Sequence, residues 1–166
     1  RSMYRAQTEF VIPILGQVSM DFEAEEPTEE FSSEICEYGD HLREEMASGW
    51  DEMTTAGIIN GTNEELQEYI HNGIVDLILH EVGHTLGLRH NFKASSIYSI
   101  EQLSDPAFTQ KYGISGSVMD YQPINIFDGE TFFQTKPGTY DYWAIEYAYK
   151  QPDRSGHSEA EFLETI

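Results

Sequence analysis

The sequence predicts an α+β fold, predominantly helical, built on one central helix, with a reduced β portion at the N-terminus. Three observations carry this. Apolar residues from Leu66 to Leu86 recur nearly all the way round a helical wheel, which describes a long, mostly buried helix. Helical spacing returns at residues 32–47 and 139–149. Strand-like patterning is confined to short runs, two in the first 22 residues and one at Gly57–Ile59.

In chain order, Glu9 to Leu15 is an apolar, partly β-branched run, and its Pro13 suits an edge strand or a break. Gln17 to Phe22 alternates like a strand, and Glu23 to Glu30 is an acidic, proline-containing exposed loop. A helix over residues 32–47 follows, capped by Ser32 or Ser33, with Ile35, Leu42 and Met46 near helical spacing. Cys36 falls in it as a buried, inert thiol. Inhibition of a metal by Cys36 is the alternative, but no inhibitory propeptide motif surrounds it. His41 has no ligand-spaced partner and reads as a surface or core histidine. Trp50 to Gly61 is a connection, ending in the turn signal Asn60-Gly61.

Thr62 or Asn63 caps the central helix, with Glu64 and Glu65 beside its positive end. Gly73 permits close packing on the face that carries Leu77, His80 and His84, while His71 lies off that face. Residues 91–96 form a loop. Ile100 to Tyr112 is partly helical and broken near Pro106. Gly113 and Gly116 bracket a turn before Ser117 to Tyr121, and residues 122–138 are loop-rich. Thr139 to Tyr149 is a core-facing amphipathic helix packed through Trp143, Ile145 and Tyr147. The remainder is a polar tail with an exposed His157.

The chemistry lies in His80-Glu81-Val82-Gly83-His84-Thr85-Leu86-Gly87-Leu88-Arg89-His90. His80 and His84 stand one turn apart on one helix face, where two imidazoles can share a Zn²⁺. Glu81 stands beside the first, placed to take a proton from a metal-bound water. Gly87 can adopt φ > 0, ending the helix and returning His90 as a third nitrogen. Three protein ligands leave a fourth position open, which is the catalytic pattern. A buried helix bearing two histidines and a glutamate also needs a partner for them, because unpaired buried polar groups are costly.

Composition limits the alternatives. The chain has 30 acidic against 9 basic residues, a formal charge of −21, which disfavours nucleic acid and anionic membranes. Most of those carboxylates form a solvated face, although clusters of them could bind Ca²⁺. One cysteine excludes an intrachain disulfide. No apolar run reaches the roughly 18 residues of a membrane span. The length fits one domain, residues 1–166, divided into 1–61, 62–90 and 91–166. The chain opens Arg-Ser-Met and shows no signal peptide, which points to a piece of a longer protein.

His80 to His90 resembles the long zinc signature of the metzincin metalloproteases, and Ser117-Val118-Met119-Asp120-Tyr121 resembles their Met-turn. The similarity extends over about residues 77–149, towards bacterial zinc-dependent metalloproteases in which S-(V/I/L)-M-D-Y precedes G-x-Y-D-x-W-A-I-E. This chain has Gly138-Thr139-Tyr140-Asp141-Tyr142-Trp143-Ala144-Ile145-Glu146. The resemblance implies a metzincin-like fold and one catalytic Zn²⁺ on His80, His84 and His90. It implies Glu81 as general base, Met119 as the floor beneath the metal, and Tyr121 as a metal-proximal hydroxyl that stabilises the oxyanion. The expected activity is peptide-bond hydrolysis on a peptide or protein substrate, in an extracellular or periplasmic setting. Metzincins place a mixed sheet before the zinc helix, whereas residues 1–61 offer only short strand candidates. The rival reading is therefore a non-catalytic, zinc-stabilised acidic binding or scaffold domain.

Overall fold

The computed structural model describes residues 36–150, residue 128 excepted. The strand candidates at 9–15 and 17–22, the acidic stretch 23–30, the caps Ser32 and Ser33, and His157 lie outside the described residues. The described elements are helices α1 (Tyr38–Ala56) and α2 (Asn63–Thr85), a 3₁₀ turn (Ala94–Ile97), and helices α3 (Ile100–Leu103), α4 (Pro106–Tyr112) and α5 (Thr139–Tyr149). Among the described residues there is no strand.

Helix α1 starts later and runs further than the expected 32–47. Its buried stripe Tyr38, Leu42, Met46, Trp50 and Met53 keeps helical spacing to the end, so the repeat does not stop at Ala47. The strand expected at Gly57–Ile59 is instead the helix terminus. Gly57 takes φ 73° and the Ile58 N–H donates to the Met53 carbonyl at 2.9 Å, which satisfies an end-of-helix acceptor.

Helix α2 begins where the capping signal lies. The Thr62 hydroxyl accepts from the Glu65 N–H at 3.2 Å and the Glu65 carboxylate accepts from the Thr62 N–H at 2.9 Å. The two long helices pack through Leu42, Met46, Trp50, Tyr69, Ile70 and Leu77, joined by Ile124 and Phe133. A Cβ on Gly73 would meet the end of the Met46 side chain, which packs directly on α2 at that point. Pro106 occupies the first turn of α4 under an Asp105 cap, so it starts a helix as well as ending the previous one.

Two burial expectations are overturned. Helix α2 is not buried nearly all round, because Ile78, Val82 and Leu86 form an exposed stripe. Helix α5 does not face the core through Trp143 and Tyr147, both of which are exposed. Its buried residues are Asp141 and Ala144, and its last tyrosine, Tyr149, donates to the Leu86 carbonyl at 2.8 Å. Polar anchors at its two ends orient this helix, so its aromatic face turns outward.

Asp76, on α2, is a fully buried carboxylate. It accepts from the Gln134 N–H at 3.0 Å and from Gln122 Nε2 at 3.0 Å, and it also interacts with the Tyr38 hydroxyl. Burial outweighs these bonds and pushes its pKa up to about 7. An unfolded aspartate titrates near 4. Between those values the folded chain holds a proton that the unfolded chain has lost, so stability falls as pH rises through this window. The cost is absent below about pH 4 and reaches about 4 kcal/mol above about pH 7. Asp76→Asn removes this dependence. Urea unfolding is therefore expected to favour the variant increasingly over wild type from about pH 4 to about pH 8, and a pH-independent difference would refute the assignment.

Candidate metal centre

The three histidines converge because of how α2 ends. Gly87 takes φ 82°, its N–H donates to the His84 carbonyl at 2.9 Å, and the Leu88 N–H donates to the Gly83 carbonyl at 3.0 Å. The chain reverses there and His90 comes back over the helix. The Asn91 N–H then donates to the Met119 carbonyl at 2.8 Å, and the Ser95 N–H donates to Asp120 Oδ2 at 2.7 Å. The loop after His90 is thus strapped to the 117–121 turn.

The ring nitrogens are assigned by their partners. His80 Nδ1 lies 2.7 Å from the Val118 carbonyl and His84 Nδ1 lies 3.0 Å from the Leu88 carbonyl. Carbonyl oxygens only accept, so each Nδ1 carries the proton and each Nε2 presents a lone pair. His84 Nε2 stands 3.1 Å from His90 Nε2. Burial pushes the pKa of His80 down to about 4, and burial together with His84 lowers that of His90, so both rings are held in the neutral, ligating form at pH 7. Aligned lone pairs, carbonyls on the remote nitrogens, and neutral rings fit Zn²⁺.

Around this cluster stand the other expected residues. Glu81 is half-buried beside His80. Met119 is buried, and a Cβ on Gly83 would run into its sulfur, so it lies directly against α2 between the turns that carry His80 and His84. The Tyr121 hydroxyl is 3.3 Å from His90 Nε2 and accepts from the Glu37 N–H at 2.9 Å. Burial raises its pKa, which keeps it a proton donor.

A Met-zincin family model matches residues 62–166. The chain belongs to the Met-zincin family. No curated protein and no solved structure matches it. The family match begins at the cap of α2, so all of α1 lies upstream of it.

That upstream segment brings three more side chains to the site, of which the sequence offered only Cys36, and that only as an alternative. Cys36 is half-buried and lies just outside the helix, beside the histidines. Its Sγ lies 3.3 Å from His80 Nε2, 3.4 Å from Glu81 Oε1 and 3.3 Å from the Tyr121 hydroxyl. Burial raises its pKa, offset in part by the Tyr121 hydroxyl. Tyr38, fully buried, packs its ring 4.5 Å from that of His80 and 4.9 Å from that of Tyr121. His41, expected to be unrelated to the site, stacks on Tyr121 at 5.8 Å. Together with Glu37, Asp40, Glu44 and Tyr121 it lines an open recess of about 390 Å³. His71 is exposed.

Proposed function

We propose that this Met-zincin is a zinc endopeptidase, with the metal held by His80, His84 and His90. The convergence of the three imidazoles beside the Glu81 carboxylate carries the reading. When bound, zinc supplies a Lewis acid that acidifies a coordinated water and polarises a carbonyl. Glu81 accepts a proton from the attacking water and passes it to the leaving amine. The Tyr121 hydroxyl donates a hydrogen bond to the developing oxyanion. Tyr38 and the Val118 carbonyl hold the His80 ring in place, and Met119 forms the floor beneath it. The carboxylates of the recess beside Tyr121 favour neutral or basic peptides over acidic ones. An extracellular or periplasmic site of action accords with this activity.

The chain is expected to bind one zinc ion and to cleave a quenched-fluorescent peptide, with activity lost to a chelator and restored by zinc. His90→Ala is expected to weaken zinc binding by at least about 10-fold. Unchanged zinc stoichiometry in that variant, by elemental analysis after dialysis, would count against the three-histidine site. Zinc binding without any chelator-sensitive hydrolysis would favour the rival reading, a zinc-stabilised scaffold, which draws on the absence of a strand among the described residues.

A further inference from the structure

We propose that Asp76 is a positioning residue for Tyr121, acting on it through Gln122 and Tyr38. This rests on the zinc peptidase reading above. Asp76 lies on α2 one turn before His80 and is 1 % exposed, and the mechanism above gives it no part. Tyr121, whose hydroxyl is assigned to the oxyanion, opens residues 121–126, which form neither helix nor strand. No backbone ladder fixes its ring there, so side-chain contacts must.

Two of those contacts lead back to Asp76. Gln122, the next residue in the chain, is 3 % exposed, and its Nε2 donates to both Asp76 oxygens, at 3.0 and 3.1 Å. The Tyr38 hydroxyl also bonds to Asp76, and it accepts from the same Nε2 at 3.3 Å. The Tyr38 ring in turn stacks on Tyr121 at 4.9 Å. The Gln134 N–H adds a further bond to the carboxylate at 3.0 Å. One buried carboxyl therefore holds both the residue that follows Tyr121 and the ring that lies against it.

Only an acceptor can do this, because all three partners are donors: an amide, a phenol and a backbone N–H. An apolar side chain of the same size would leave them facing one another unpaired, at the cost of their desolvation. Their shortest relief is to move, and Gln122 and Tyr38 then carry Tyr121 with them. A displacement of about 1 Å at a group that acts on the reacting atoms is enough to cost on the order of 100-fold in rate. Asparagine keeps one acceptor oxygen at the same point, and its amide can donate to the Tyr38 hydroxyl.

The test uses the whole 166-residue chain loaded with zinc. Asp76→Leu is expected to keep its zinc, to lose at least about tenfold in kcat on the quenched peptide, and to leave KM within about twofold. Asp76→Asn is expected to stay within about threefold of wild type, a rescue by the conservative variant. In the Tyr121→Phe background Asp76→Leu is expected to cost nothing further in kcat, because residues that act as a unit are not additive. Tyr38→Phe, which removes only the hydroxyl, is expected to lose kcat in the same non-additive way, and it takes the place of Asp76→Leu if that variant does not fold. A second readout needs neither metal nor turnover. In the zinc-free chain carrying ring-labelled carbon-13 tyrosine, the Tyr121 signal is identified by its loss in Tyr121→Phe. It is expected to shift in Asp76→Leu and to stay in place in Asp76→Asn. Additive losses, a Tyr121 signal unmoved in Asp76→Leu, or an Asp76→Asn as slow as Asp76→Leu overturns the proposal while leaving the zinc reading intact. A wild type without chelator-sensitive hydrolysis overturns both.

Discussion

Glu81→Gln is expected to keep its zinc and to lose about 100- to 10,000-fold in kcat/KM, a barrier increase of about 3 to 5 kcal/mol. Glutamine has nearly the same shape as glutamate, and its carbonyl oxygen can still orient a water. It cannot take a proton. None of the three proposed ligands changes, so zinc content isolates the base from the metal. A parallel comparison in the Cys36→Ala background removes the one thiol that contacts the Glu81 carboxylate. Wild-type rates in Glu81→Gln would remove Glu81 from the proton-transfer role. A joint loss of zinc and activity would instead mean that Glu81 supports the metal.

The parts of this site that were legible in the sequence are local. His80, His84, Gly87 and His90 sit within three helical turns, and their geometry follows from helix pitch and one left-handed glycine. The Thr62 capping box and the start of α4 at Pro106 are equally local. What was missed depends on contacts between distant segments. Cys36 reaches His80 across 44 positions, and no periodicity encodes that approach. A weak signal existed for Asp76. It is a lone acid in an apolar stretch of α2, and the argument that a buried polar group needs partners applied to it as much as to the histidines. The aromatic content of α5 suggests a core face, whereas the Tyr149 hydroxyl at its end and a buried carboxylate at its start set its orientation.

That carboxylate carries the second large prediction. Asp141 is buried and accepts three hydrogen bonds, from Ser117 Oγ at 2.5 Å, the Val118 N–H at 2.8 Å and the Gly138 N–H at 2.7 Å. Its first effect is to fix the 117–121 turn, whose Val118 carbonyl holds His80 Nδ1 and whose Met119 lies against Gly83. Its second is to bring the start of α5 so close to that turn that a Cβ on Gly138 would strike the backbone of Gly116 and Ser117. Asp141→Ala strands three buried donors at once and is expected to destabilise the chain by about 3–5 kcal/mol. It is also expected to weaken zinc binding by about 10- to 100-fold, because the carbonyl that orients His80 is no longer held. Ser117→Ala, which removes one donor to Asp141 and the acceptor of the Met119 N–H, should cost about 1–3 kcal/mol. Urea unfolding of the zinc-free variants and competition with a colorimetric chelator measure the two effects separately. If Asp141→Ala unfolded within about 1 kcal/mol of wild type, the turn would be held by its own backbone and the strapped loop after His90, and the link between α5 and the metal centre would fail.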